Sequence, residues 1–452
     1  MSRLLSAFHG SGLMARVLRS ASWLMVGYGG SQALRLAANL LMTRLLYPEA
    51  FGLMTLVTVV VVGLNLFSDV GIGPAIAQNP RGDDPDFLNT AWTIQVARGI
   101  GLFAVACLLA LPVSRIYDEP DLTTYLPVAA VALLISGFFP TRIETAHRHL
   151  IVGRLTVLDL TSQLIGIGAM AALAIATRSV MALALGGVIT ALAKLVLTHF
   201  LLPGAANRFR WEPAARSELM RFGKWIFLST ALTFVISQGD RAILGRYLTM
   251  EMLGIYNIGY FLGSFPIMLG MAVVGRIMLP VYRDHPPDAD PANWRRLARL
   301  RAGVTLGVGV PLVAVALAGP QLVDLLYDPR YQLAGPMVTL ISLAFIPQLI
   351  VVTYDIVALA RGDSLSYFTL MLVRALMQVG AILLGIWAFG LLGAILSLAA
   401  ATLATYPAVL WLTGKYGARD LRHDIIAIVL GGVAAATVIR FHWTEIAPLA
   451  AL

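Results

Sequence analysis

The sequence predicts an all-α polytopic membrane protein, with about twelve spanning helices in two parallel six-helix bundles around a central cavity. Three observations predict it. The 452 residues are 58 % hydrophobic and only 13 % charged, whereas a water-soluble chain carries roughly 25 % charged residues. Twelve runs are apolar over the ~20 residues that a spanning helix needs. The stretch Ser22–Gly52 returns 202 residues later: Trp23 matches Trp225, Arg44 matches Arg246, Leu46 matches Leu248, Glu49 matches Glu251 and Gly52 matches Gly254.

The elements follow in order. Residues 1–21 hold Arg3, Arg16 and Arg19 and a short apolar run broken by His9-Gly10-Ser11-Gly12. That pattern is not a signal peptide; it predicts either a short interfacial helix on the cytoplasmic side or a basic tail. The spans fall at about 22–46, 51–78, 88–112, 122–141, 155–177, 179–202, 220–246, 251–281, 299–320, 334–360, 364–388 and 391–413. The first six make an N-terminal bundle (22–202), 203–219 is a cytoplasmic linker, and 220–413 is the C-terminal bundle. The segment 414–452 contains a thirteenth apolar run, 424–440, which is either a further span or an interfacial helix. Six spans separate the two copies of the repeat, so both cross the membrane in the same sense, as a parallel repeat does.

Orientation follows from Lys and Arg, which concentrate in cytoplasmic loops. The N-terminal tail, the loops after even-numbered spans and the segment after the twelfth span hold 21 of them, flanking helical turns included. The opposite side holds only Arg44, Arg115, Arg178, Arg246 and Arg330, which places the N-terminus in the cytoplasm. Trp23, Trp92, Trp225 and Trp411 near cytoplasmic ends and Trp387 near a periplasmic one fit interfacial belts. The formal charge of +9 therefore reflects topology, and no nucleic-acid partner is implied. Cys107 is the single cysteine, so no internal disulfide exists.

No loop is large enough to fold into a domain; the longest is 282–298. That disfavours a membrane-embedded glycan polymerase or ligase, whose chemistry needs a sizeable extramembrane loop. There is no P-loop, complete Gly-x-Gly-x-x-Gly or nucleophile elbow, and Gly71-Ile72-Gly73 reads as a helix end. His147 and His149 lie in a basic loop without neighbouring acidic or cysteine ligands, so no metal or cofactor is expected.

Six basic residues remain inside spans: Arg35, Arg98, Lys194, Arg241, Arg276 and Arg374. Counted at 1.5 Å per residue, Arg35 lies ~20 Å from the cytoplasmic end of its helix, Arg98 and Arg374 ~15 Å, Lys194 ~12 Å and Arg276 ~8 Å. Facing lipid, the four deepest would cost about 10–14 kcal/mol together, so they are expected to face the interior. Asp240 and Arg241 suit a structural ion pair near the periplasmic end. Arg276 can either join the deep cations or snorkel to the headgroups. Asp159 is close enough to the interface to be solvated. Arg35, Arg98, Lys194 and Arg374 are then left against Asp69 and Asp355, and this excess of cations points to an anionic substrate, since a guanidinium binds phosphate oxygens bidentately. The same excess argues against an exporter of drugs or organic cations. Asp69 and Asp355 are either structural partners or carriers of a coupling proton. Gly27, Gly29, Gly30, Pro266 and Pro347 are candidate bends, and Gly259 and Gly263 form a GxxxG spacing that lets helices approach.

Arg44-Leu45-Leu46-Tyr47-Pro48-Glu49-Ala50-Phe51-Gly52, followed by Phe67-Ser68-Asp69-Val70-Gly71-Ile72, resembles the opening of the Wzx-type polysaccharide flippases of the multidrug/oligosaccharidyl-lipid/polysaccharide exporter superfamily. The second half is similar too, through Gln238-Gly239-Asp240-Arg241-Ala242-Ile243-Leu244-Gly245-Arg246, Leu253-Gly254-Ile255-Tyr256-Asn257 and Leu279-Pro280-Val281-Tyr282. The likeness covers about 20–80 and 219–283, and elsewhere rests on hydropathy. It implies a cationic central cavity, alternating access and a bacterial inner-membrane location. It also implies a polyprenyl-diphosphate-linked oligosaccharide as substrate, moved between leaflets for surface polysaccharide synthesis, with membrane lipids and other polysaccharide-assembly proteins as partners. Family members carry twelve or fourteen spans, and the run 424–440 departs from both counts.

Overall fold

A computed structural model describes residues 13–451, of which 13–21, 24, 221–228, 276 and 451 are described by backbone alone. The interfacial helix expected near the N-terminus lies largely outside the described residues. The chain divides into two compact units, one ending at Ala231 and the other beginning at Leu232. The division falls inside a continuous helix, Pro213–Tyr247.

The first unit contains α1 (Leu13–Leu45), α2 (Pro48–Phe67), α3 (Ile72–Gln78), α4 (Pro85–Tyr117), α5 (Leu122–Gly137), α6 (Arg142–Arg148), α7 (Val152–Thr177), α8 (Met181–Leu201) and the start of α9 (Pro213–Tyr247). The second continues with the rest of α9, then α10 (Met250–Gly263), α11 (Phe265–Asp284), α12 (Pro291–Leu317), α13 (Gly319–Leu326), α14 (Ala334–Ala344), α15 (Ile346–Val351), α16 (Val357–Ala360), α17 (Ser364–Lys415), α18 (Leu421–Phe441) and α19 (Trp443–Ile446). No strand occurs among the described residues. Among them, nine helical stretches are long and apolar enough to cross a membrane, or ten if α5 and α6, which meet at 63°, count as one bent span. One stretch is α18, over the thirteenth apolar run.

The repeat is visible in the backbone. α1 ends at Leu45 and α2 starts at Pro48; 202 residues on, α9 ends at Tyr247 and α10 starts at Met250. The capping residues Tyr47 and Thr249 are both extended, with ψ of 159° and 158°. The prolines bend helices where expected. Pro266 lies in the first turn of α11, directly after α10 ends at Gly263, and Pro347 lies in the first turn of α15, directly after α14 ends. A proline lacks the N–H that would continue a helix but suits a helix start. Gly27, Gly29 and Gly30 do not break α1, which runs without interruption.

The 52-residue α17 is two spans. Phe389 and Gly390 leave the helical region, Gly390 with φ of 56° and ψ of −136°. The chain reverses so tightly that a Cβ on Gly393 would fall 1.9 Å from the Gly385 carbonyl oxygen. The two arms, 364–388 and 391–415, match the eleventh and twelfth expected spans.

The linker expected over 203–219 is shorter in the structure, because α9 begins at Pro213. Its extended part is fastened to the first unit by side chains that supply the acceptors a strand partner would supply. Arg208 N–H donates to Asn89 Oδ1 (2.9 Å), Arg210 N–H to Thr93 Oγ1 (3.1 Å) and Glu212 N–H to Thr90 Oγ1 (3.1 Å). Arg81 closes the fastening against Asp84 (2.6 Å) and Glu212 (2.7 Å).

Candidate functional site

Within the first unit, α1 packs along α7 through polar contacts. Thr156 Oγ1 donates to the Trp23 carbonyl (3.2 Å), and Ser31 Oγ donates to Gln163 Oε1 (2.9 Å). Gln32 is buried, and its Nε2 has no hydrogen-bond partner. Arg35, one turn further along α1, is exposed and makes no ion pair among the described residues. A spare amide donor and a spare guanidinium on one helix are the chemistry that an anion with several oxygens would satisfy.

The other deep cations of this unit have partners. Arg98 on α4 is held at the end of α2: Nε donates to Ser68 Oγ (2.9 Å), and Nη2 donates to the Asn65 carbonyl (2.7 Å) and to Asn65 Oδ1 (2.6 Å). These acceptors are neutral, so its charge is not cancelled by contact. Asp69 lies in electrostatic range of Arg98, while its own carboxylate accepts from the Gly71 N–H at 2.8 Å. Lys194 on α8 forms an ion pair of 2.7 Å with Asp159 on α7 and sits 5.7 Å from the centre of the Phe139 ring. The solvated Asp159 of the sequence reading is thus corrected: the carboxylate is half exposed, yet it is the counterion of Lys194. Glu144 on α6 completes this group, in range of Lys194, Asp69 and His147. The first unit therefore carries an alternating set of charges with Arg35 left over, rather than a simple excess of cations.

In the second unit Arg374 is fully paired. Its two terminal nitrogens donate to the two oxygens of Asp355 at 2.7 and 2.9 Å, and both side chains are only 12–13 % exposed. Asp240 and Arg241 pair with each other on α9 and meet neutral side chains of α10, rather than an opposite charge on another helix. Asp240 accepts from Tyr256 Oη (2.8 Å) and lies 3.6 Å from Arg241. Arg241 stacks 4.1 Å from the centre of the Tyr260 ring and donates to Asn257 Oδ1 (3.2 Å). The Arg276 side chain lies outside the described residues. The Gly259 and Gly263 spacing brings α10 against α14, where Cβ atoms added at these glycines would lie 2.9 Å from Met337 Cβ and 3.0 Å from the Val338 carbonyl.

Sequence reasoning missed a buried polar knot. By sequence Arg301 belongs with the juxtamembrane basic residues at the start of the span expected at 299–320, but it is fully buried on α12. It donates to Tyr282 Oη (2.8 Å) and stacks 3.9 Å from the centre of the Tyr354 ring, while its Nε and Nη1 have no hydrogen-bond partner. Tyr354 Oη donates in turn to Asp424 (2.9 Å), which also accepts from Tyr406 Oη (2.7 Å) and contacts His423 (3.1 Å). Asp424 is fully buried in the first turn of α18 and so ties that helix to the unit. The one available signal was Asp424 itself, an acidic residue at the head of an apolar run.

Outside the spans, Arg81 is the main cause that holds the Asp84 carboxyl below its ordinary value of 3.8. At the opposite end of α17's sequence, Lys415 and Tyr416 hold Asp363 well below the carboxylate range. Among the described residues no group of three or more His, Cys, Asp or Glu is placed to hold a metal ion.

Residues 41–336 match the family model described as polysaccharide biosynthesis protein. The teichuronic acid biosynthesis protein TuaB of Bacillus subtilis is 20 % identical over 72 % of this chain and 69 % of its own length. The succinoglycan biosynthesis transport protein ExoT of Rhizobium meliloti is 20 % identical over 82 % of this chain and 74 % of its own. Among solved structures, the lipid II flippase MurJ in an inward closed conformation superposes with a TM-score of 0.69 at 10 % identity, covering 93 % of this chain and 99 % of MurJ. An inward-facing multidrug resistance MATE family transporter of the MOP superfamily gives 0.63 at 14 % identity, over 86 % and 95 %. A flippase and a drug transporter thus share this fold, and it is the sequence relatives that separate the branches: this multi-pass membrane chain belongs to the polysaccharide biosynthesis protein family.

Proposed function

We propose that this protein is a flippase. It moves a polyprenyl-diphosphate-linked oligosaccharide from the cytoplasmic to the periplasmic leaflet of a bacterial inner membrane, for synthesis of a surface polysaccharide. The observation that carries the substrate class is Arg35, an exposed guanidinium on α1 without an ion-pair partner among the described residues, one turn from the unpartnered amide of buried Gln32. Membership of the polysaccharide family supports the reading, as do the names of ExoT, a transport protein, and MurJ, a flippase.

In this mechanism Arg35 and Arg98 bind the diphosphate, because one has no counterion and the other only neutral acceptors. Lys194 and Arg374 contribute by exchanging a carboxylate for a phosphate oxygen, and Arg276 supports entry. The polyprenyl chain stays in lipid, and the protein alternates between cytoplasmic and periplasmic access with its N-terminus in the cytoplasm. Asp69 or Asp355 carries a coupling proton when its cation turns to the substrate. The protein works as a transporter and makes no covalent bond.

The test is leaflet accessibility of the lipid-linked precursor in cells depleted of the protein. The precursor is expected to accumulate in the cytoplasmic leaflet, rescued by wild type and not by Arg35→Ala at matched membrane abundance. Normal flipping with loss of finished polymer would overturn the reading in favour of a later polymerisation or ligation step.

A further inference from the structure

We propose that the basic end of α12 is a binding site for an anionic membrane phospholipid, distinct from the transported substrate. An open pocket of 470 Å³ is lined by Arg296, Arg299 and Leu300. Arg295, Arg296 and Arg299 are all exposed, and none makes an ion pair among the described residues. Some cations of the second unit have a carboxylate and others, such as Arg246 and Arg422, have none among the described residues, so it is the clustering of three that sets this end of α12 apart. Arg283 holds Asp284, Arg361 holds Asp288 and Lys415 holds Asp363. Three adjacent guanidiniums without carboxylates concentrate positive charge at the membrane surface, and a phosphate in a pocket lined by two of them would be held by charge-assisted hydrogen bonds.

The rest of α12 says what that phosphate is attached to. Its uncovered face runs on from Arg299 through Gly303, Leu306, Gly307 and Val310, with Leu306 and Val310 63 % and 64 % exposed. At Gly303 and Gly307 an added Cβ would meet nothing within 4 Å. The two glycines leave a shallow apolar groove that begins at the arginines. From Arg299 to Val310 the groove is ~16 Å long, about the hydrocarbon depth of one leaflet. A cationic pocket opening onto a groove of one leaflet's depth matches an anionic head with its acyl chain. It does not match a free phosphate, which would leave the groove unused. A second copy of this chain could use the open glycines, but a parallel pair would bring the two arginine clusters together.

The experiment is native mass spectrometry of the purified full chain with defined ligands added singly: phosphatidylglycerol, phosphatidylcholine and, as a control without acyl chains, inorganic phosphate. Phosphatidylglycerol is expected to bind selectively. Arg296→Gln with Arg299→Gln should weaken it about thirtyfold, from two basic contacts near the surface. Gly303→Leu with Gly307→Leu should also weaken it, and Arg361→Gln, whose partner is Asp288, should not. Equal retention of phosphatidylglycerol by wild type and the double glutamine variant would overturn the proposal. So would inorganic phosphate binding as tightly as the lipid, or a dimer that Gly307→Leu separates. The readout is binding by purified protein, so its failure and a failure of the transport reading are separate results.

Discussion

The Asp355–Arg374 pair allows a quantitative test of whether the arginine is structural. The two side chains make parallel hydrogen bonds of 2.7 and 2.9 Å and are 12–13 % exposed. Removing one partner leaves the other charge buried alone, which costs about 3–5 kcal/mol. That lowers the ratio of folded to unfolded protein roughly 150- to 5000-fold. Arg374→Met and Asp355→Leu should each show this loss. The double variant removes both charges and should recover to wild-type stability or above, because an apolar pair of similar volume avoids the desolvation cost. The assay is unfolding in mixed detergent and dodecyl sulfate micelles, followed by tryptophan fluorescence, for all four corners of the mutant cycle. Two single variants each within about 1 kcal/mol of wild type, with additive effects, would refute the argument. The pair would then behave as a solvated surface pair does, and Arg374 would be free to serve a ligand without penalty.

Other predictions rest on single features. Gly259→Val should destabilise the second unit by about 1–3 kcal/mol through overpacking, since an added Cβ already lies 2.9 Å from Met337 Cβ; the same micelle titration reads it. Gly390→Ala should cost about 1–3 kcal/mol for backbone strain, because φ of 56° with ψ of −136° suits only glycine, and limited proteolysis should then cut near the reversal. The lowered Asp363 carboxyl gives a pH dependence of definite sign. Its contribution is complete above the ordinary value of 3.8 and is lost only as pH falls through the lower folded value. The protection factors of the amides at residues 413–416, corrected for the intrinsic pH dependence of exchange, should therefore stay constant from pH 7 to about 4 and fall below that, whereas Asp363→Asn should show the lower protection throughout. Arg81→Ala should release the extended segment 203–212, seen as faster exchange of the Arg210 and Glu212 amides with the helices of the first unit unchanged.

Much of the fold was legible because the membrane imposes length and hydropathy on each helix. The junctions at Tyr47 and Thr249 and the separate arms of α17 follow from composition and spacing, whereas Pro266 and Pro347, expected as bends within single spans, stand at helix starts. The charges were less legible. Depth along a helix can be counted from sequence, but pairing depends on rotation about the helix axis and on which helices are neighbours. Lys194 and Asp159 lie on adjacent antiparallel helices, and Arg374 faces Asp355 across a turn; neither pairing is fixed by depth alone. Arg301 shows the converse. Its position at the start of the expected span 299–320 makes it look superficial, yet the side chain is fully buried in the unit. Arg35 is exposed on α1 and makes no ion pair among the described residues, so the depth count alone sets its environment.

The knot around Asp424 also bears on how the chain is made. Tyr282, Arg301, Tyr354, Tyr406 and Asp424 belong to segments that leave the ribosome at different times, and the acceptor comes last. Until α18 has been synthesised, two phenols have no carboxylate to donate to, and the earlier helices have a polar defect where they should close. α18 then acts as a closing signal for this knot, telling a satisfied set of phenols from an unsatisfied one by a single carboxylate. A chain stopped before Leu421 should be degraded faster in the membrane than the full chain, with Asp424→Asn between the two. Equal lifetimes for all three would show that closure of the knot goes unread.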